Sequence, residues 1–141
     1  LYLKKTCTLS LMGVLLQEGK AFLAAATASL RSLEEDMGTV VNPDTVKAQV
    51  EGAVVMAITA ATKNGITFEN GRTRQSNYDE NPILRIHEMP EVEVHILAEG
   101  GEVIKGAGEP GLPPLAPALC NAVFAATGKR IRRLPFDINA I

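Results

Sequence analysis

From Pro110 to Gly128 the chain carries no charged side chain, and Leu115, Ala118, Leu119, Ala122, Val123 and Ala126 recur there at helical spacing. Pro113-Pro114 marks the start of that helix and Gly128 its end. A helix apolar nearly all round has to be buried on most sides, and 141 residues offer little volume in which to bury it. The pattern therefore predicts a helix that takes part of its cover from another domain or chain.

The remaining composition is that of a globular domain, with 46% hydrophobic and 21% charged residues. Aromatics are 4% and Trp is absent, so the core has to be built from aliphatic side chains and close helix contacts. A net charge of −2 gives no electrostatic footprint for nucleic acid. The one basic cluster, Lys129-Arg130-Ile131-Arg132-Arg133, follows the predicted helix end, where cations complement the helix dipole. Cys7 and Cys120 are too far apart for a paired-ligand spacing, and His87 and His95 form neither a Cys/His box nor a helical pair, so no protein-ligated metal site is read. The two cysteines fit small buried apolar residues as well as a disulfide.

Asn42 and Pro43 have the chemistry of a helix cap and first helical position. Val46, Val50, Val54, Ala57, Ile58 and Ala61 then share one face until Asn64-Gly65 stops the helix. Ile66-Thr67-Phe68, Asn70-Gly71 and Arg72 to Ser76 read as a β-hairpin on a type I′ turn. Beyond Pro82 and Pro90, Val92, Val94 and Ile96 alternate with Glu91, Glu93 and His95, the period of a half-exposed strand with His95 on its polar side. The expected fold class is α+β, with two main helices packed on a small, mostly antiparallel sheet.

Residues 1–35 differ in texture. Lys4-Lys5 followed by Thr6 to Leu16 has the order of a secretory signal, with Ala24 to Ala28 as a small-residue zone, but Glu18 and Lys20 interrupt it. The run is too short and broken to span a bilayer. The alternatives are an apolar, loosely packed helical segment or an end left where a longer chain was cut.

Gly106-Ala107-Gly108-Glu109-Pro110 is the segment with most chemical content. Its glycines let backbone N–H groups approach an anion, and Pro110 and Pro113 stiffen the exit. Held beside a desolvated pocket, Glu109 would have the raised pKa of a general base; the competing reading is a solvated loop carboxylate. Gly106, Gly108 and Gly111 also satisfy Gly-x-Gly-x-x-Gly, yet Val103-Ile104 is a short lead-in, three prolines delay the helix, and the acidic residue expected about twenty positions on is missing. An NADP site, with Arg132 or Arg133 on the 2′-phosphate, is the weaker alternative.

Four blocks together carry a resemblance. They are Asn42-Pro43-Asp44-Thr45-Val46-Lys47-Ala48-Gln49-Val50-Glu51-Gly52, Gln75-Ser76-Asn77-Tyr78, Glu88-Met89-Pro90-Glu91-Val92-Glu93-Val94-His95, and Gly106 to Gly111 continuing through Ala125-Ala126-Thr127-Gly128-Lys129-Arg130. In order and spacing, over about residues 36–136, they resemble the C-terminal end of the large subunit of the molybdenum hydroxylases, the xanthine dehydrogenase and aldehyde oxidase family. The nearest subgroup is that of isoquinoline 1-oxidoreductase and related bacterial aldehyde dehydrogenases. Residues 1–35 do not resemble what should precede them, which suggests a frame change, a truncated gene or an unrelated start.

The resemblance implies a portion, residues 36–141, of a larger molybdopterin-binding domain. Glu109 is then the base that takes a proton as water-derived oxygen is added to an aldehyde or nitrogen heterocycle. Gln49, in a block similar to the family's Gln-x-Glu-Gly, hydrogen-bonds the cofactor, and Gly106, Ala107 and Gly108 present backbone donors to it; Glu51 is read as structural or solvated. The implied cofactor is molybdopterin in its cytosine dinucleotide form. The implied partners are the missing N-terminal domains and a small [2Fe-2S] subunit whose iron–sulfur clusters take the electrons, with no nucleic acid and no membrane span. Without those domains the fragment is expected to be inactive; a folded, non-catalytic remnant or association module is the alternative. Compartment is not legible, since related subunits occur in the cytoplasm and the periplasm.

Overall fold

The computed structural model describes residues 8–12, 38–96 and 104–141. In chain order these hold β1 (Thr8–Met12), α1 (Pro43–Thr62), β2 (Phe68–Glu69), β3 (Arg72–Thr73), β4 (Glu91–His95) and α2 (Leu115–Thr127), with 3₁₀ turns at Tyr78–Glu80, Ile86–Glu88 and Ile138–Ala140. Both sheets have two antiparallel strands, β1 with β4 and β2 with β3. The architecture is α+β, as the sequence predicts.

α1 begins where its cap chemistry requires. The Asn42 side-chain oxygen accepts from the Asp44 and Thr45 amides at 3.0 and 3.2 Å, and Pro43 occupies the first turn, where a missing N–H costs nothing. Of the predicted stripe, Val50, Val54, Ala57, Ile58 and Ala61 are buried and Val46 half-buried. At the other end the Ala61 carbonyl, one of the last-turn acceptors without a helical partner, is reached by the Phe136 amide at 2.9 Å. The C-terminal tail thereby closes the end of α1.

Thr59 is the one buried polar side chain among the described residues, at 1% exposure, and it is satisfied twice. Its hydroxyl donates to the Val55 carbonyl at 2.6 Å and accepts from the Leu84 amide at 3.0 Å. That pair of bonds fixes the loop after the hairpin against α1.

Two apolar clusters join the elements. Val50, Val54, Ala57, Ile58, Leu84 and Leu115 form one, with Val92 and Val94 of β4 packed on it. Ala61, Leu119, Val123 and Phe136 form the other. Since the start of α2 meets the middle of α1 and its later turns meet Ala61, the two helices run in the same sense. α2 ends at Gly128, whose φ of 73° is a left-handed cap and whose N–H donates to the Phe124 carbonyl at 2.8 Å. Within the described residues only one stripe of α2, Leu115, Leu119, Ala122 and Val123, is buried, while Pro117, Asn121 and Ala125 are exposed. The all-round burial expected of this helix is therefore not supplied by these residues.

Two expectations need correction. Thr8–Met12 is a strand, not helix: Thr8-Leu9-Ser10-Leu11 alternates at the two-residue period, and the register sets Leu9 opposite Val94 and Leu11 opposite Val92. The rest of the signal-like segment, with Cys7, lies outside the described residues. The hairpin turn forms as predicted, with φ of 51° at Asn70 and 78° at Gly71, but its strands are two residues each instead of reaching Ser76. Both strands are exposed throughout, so no core face rewards a longer ladder, and Ser76 instead donates its N–H and hydroxyl to Glu80 at 2.7 and 2.8 Å. Val92, Val94 and Ile96 alternate inward as expected, and exposed His95 lies 2.9 Å from Glu93.

Candidate functional site

The fold brings two predicted site elements together. Gly38 and Ile104 form an isolated antiparallel bridge, which ties the approach to α1 to the approach to the glycine loop. Gln49 follows in the second turn of α1, exposed. A methyl group in place of the Gly108 hydrogen would lie 3.9 Å from the Gln49 side-chain oxygen, and one on Gly106 would meet nothing within 4 Å.

Neither glycine has a positive φ, so neither is demanded by backbone conformation or by packing among the described residues. Their bare backbone, set beside an amide side chain, leaves room for a ligand to approach closely. Ala107 is half-buried and Gly111 buried, so the loop is seated on the protein at those residues and open at Gly106 and Gly108.

Glu109 is placed differently from the expectation. Its carbonyl accepts from the Leu112 amide at 3.0 Å and Pro110 follows, so its backbone is held in a turn beside the Gln49 helix. Its side chain is exposed. Among the described residues no element encloses it.

Glu51 is exposed, as read from the sequence. It borders an apolar depression lined by Ala48, Gly52, Val55, Leu84 and Met89, which contains none of the predicted site residues. Sequence reasoning missed this surface. The available signal was Gly52 itself: a glycine inside a helix costs about 1 kcal/mol against alanine, and here a Cβ would meet nothing within 4 Å.

The geometry also bears on the dinucleotide reading. α2 starts at Leu115, beyond Pro113-Pro114, so no helix opens inside the glycine motif. Arg132 and Arg133 follow α2, whose 13 residues separate them from the loop. Both described sheets are antiparallel pairs, not the parallel sheet that such a site needs. Among the described residues no group of three or more His, Cys, Asp or Glu could hold a metal ion, and no helix is long and apolar enough to cross a membrane. Cys120 is a free, half-buried thiol whose pKa burial pushes up.

A glycine loop beside a helix amide offers backbone N–H groups and a side-chain amide within reach of one another. Residues 31–90, which include Gln49, match the molybdopterin cofactor-binding domain family. The chain is 35% identical over 100 residues to the beta subunit of isoquinoline 1-oxidoreductase from Brevundimonas diminuta, covering 71% of this chain and 13% of that protein. It is 36% identical over 106 residues to a subunit of nicotinate dehydrogenase from Pseudomonas putida, covering 75% of this chain and 9% of that protein. It is 38% identical over 100 residues to the membrane-bound aldehyde dehydrogenase (pyrroloquinoline-quinone) of Gluconacetobacter polyoxogenes, covering 71% of this chain and 13% of that protein. The chain belongs to the molybdenum hydroxylase family, the xanthine dehydrogenases and aldehyde oxidases, and within it resembles the isoquinoline 1-oxidoreductase type. It spans about an eighth or less of the length of these relatives.

Proposed function

We propose that this chain is the part of a molybdenum hydroxylase large subunit that holds one side of the molybdopterin cofactor and supplies the base for hydroxylation of an aldehyde or nitrogen heterocycle. The single observation that carries the reading is the meeting of Gln49 with the open glycine loop at Gly108. The residues fit the group: the Gln49 amide can both donate to and accept from a pterin or phosphate, and Gly106, Ala107 and Gly108 offer N–H donors with no side chain in the way at the two glycines. The cofactor, when bound, supplies the redox chemistry and a water-derived oxygen.

Glu109 has the protein's part of that chemistry. Its backbone is fixed by the turn to Leu112, so its carboxylate is carried close to wherever the loop meets the cofactor. Further domains of a larger chain would exclude water from around it, and a carboxylate held away from water is the better proton acceptor. The cytosine dinucleotide form of the cofactor, an iron–sulfur partner and completion by preceding domains belong to the same reading, as does the division into residues 1–35 and 36–141.

One relative is named for a quinone instead, so the cofactor is the first thing to test. The experiment grafts this chain into the Brevundimonas protein in place of the matching 100 residues and assays the purified product for molybdenum, pterin and quinone. Molybdenum with pterin is expected. A grafted protein that folds and carries quinone without molybdenum would overturn the reading.

A further inference from the structure

The glycine loop is held at both ends. At its far end Gly111 is buried, the Glu109 carbonyl accepts from the Leu112 amide, and Leu115, 1% exposed, lies in the cluster that Val50 and Val54 of α1 build. At its near end Ile104 is 68% exposed, so burial of its side chain does little to fasten it. What the fold supplies there is the antiparallel bridge to Gly38.

Gly38 has a φ of 66°, in the left-handed region that glycine enters without steric cost, asparagine with little, and other residues only under strain. It stands four residues before Asn42, whose side chain caps α1, and Gln49 lies in the second turn of that helix. The bend of the chain at Gly38 therefore serves two neighbours at once, the cap of α1 and the start of the glycine loop. Between the loop's two holds, the place of a Gly108 Cβ falls 3.9 Å from the Gln49 side-chain oxygen.

We infer that Gly38 is a positioning residue of the site: its left-handed backbone permits the bridge to Ile104, and the bridge sets the glycine loop against the Gln49 helix. Gly106 and Gly108 leave the middle of the loop bare and have no positive φ of their own, so the loop is located from its ends. Of the left-handed glycines among the described residues, Gly71 turns the hairpin and Gly128 caps α2, whereas Gly38 joins segments distant in sequence. The inference rests on the cofactor reading for its consequence, since a loop that drifts from Gln49 presents its N–H groups to the cofactor from the wrong place. The placement of the loop is itself a property of the chain without cofactor.

The test compares G38A, G38N and G71A in the full chain by amide hydrogen exchange at residues 104–112. G71A puts the same kind of strain into the hairpin turn, where a Cβ meets nothing within 4 Å, and so reports what general destabilisation does. Asparagine is bulkier than alanine but better suited to the left-handed region, so the order of the two variants separates backbone conformation from crowding. G38A is expected to speed exchange across the loop by about tenfold, G38N by much less, and G71A not at all. Unchanged exchange in G38A, equal acceleration in G71A, or a greater effect from G38N than from G38A would each overturn the inference. In the Brevundimonas graft, G38A should hold less molybdenum than the parent graft and G38N nearly as much; equal molybdenum in G38A and the parent would overturn it as well. A parent graft that folds without molybdenum overturns the cofactor reading instead, and the two failures are told apart because the exchange comparison needs no cofactor.

Discussion

Thr59 shows how one hydroxyl holds two segments. Buried in the α1 core, it is the acceptor for the Leu84 amide. T59V keeps the shape and removes the acceptor, leaving that amide buried and unpaired, which costs about 1–3 kcal/mol. Denaturant unfolding should show this loss for T59V and little loss for T59S; equal stability of T59V and the parent would remove Thr59 from its assigned place. No sequence rule distinguishes this threonine from one facing solvent, because its partner is defined only once the chain after the hairpin returns to α1. Gln49 and Glu109 came to notice for different reasons, Gln49 through the resemblance of its block and Glu109 through the glycine loop around it, and the fold sets the two elements side by side. The exposure of Glu109 was not legible, because burial depends on neighbours from far along the chain or beyond it.

The two helices were readable because their ends carry their own chemistry, Asn42-Pro43 at one start and Gly128 at one finish. β1 was not, since a strand needs a partner, and β4 lies far along the chain. The connection between α1 and the turn at Ile86–Glu88 carries a pH-dependent element. Lys63 lies 2.6 Å from the Glu88 carboxylate, whose other oxygen accepts from the Arg85 amide at 2.7 Å. The Lys63 hydrogen bond first, and the Arg85 amide second, hold the Glu88 carboxyl below its ordinary value of 4.5. The folded chain therefore binds this proton less readily than the unfolded one. The resulting stability is present in full above the ordinary value and is lost as pH falls through the lowered one. E88Q should flatten that part of the acid limb and leave the slope above about pH 6 unchanged, as thermal midpoints against pH would show. An unchanged acid limb in E88Q would mean that the pair is solvated too well to matter.

At the scale of the molecule, the described residues make a scaffold that is complete on one side. The core between α1, α2, β4 and the tail is closed, while the outer residues of α2, the depression at Gly52 and the Glu109 carboxylate remain open. The relatives that the chain matches are several times longer than it is. The central claim is that Glu109 serves as the base at a cofactor held beside Gln49. It is tested most directly by turnover per bound molybdenum in the grafted Brevundimonas protein carrying E109Q. The predicted result is a fall of roughly a hundredfold to ten-thousandfold with molybdenum content unchanged; turnover within a few-fold of the parent at equal molybdenum content would contradict it.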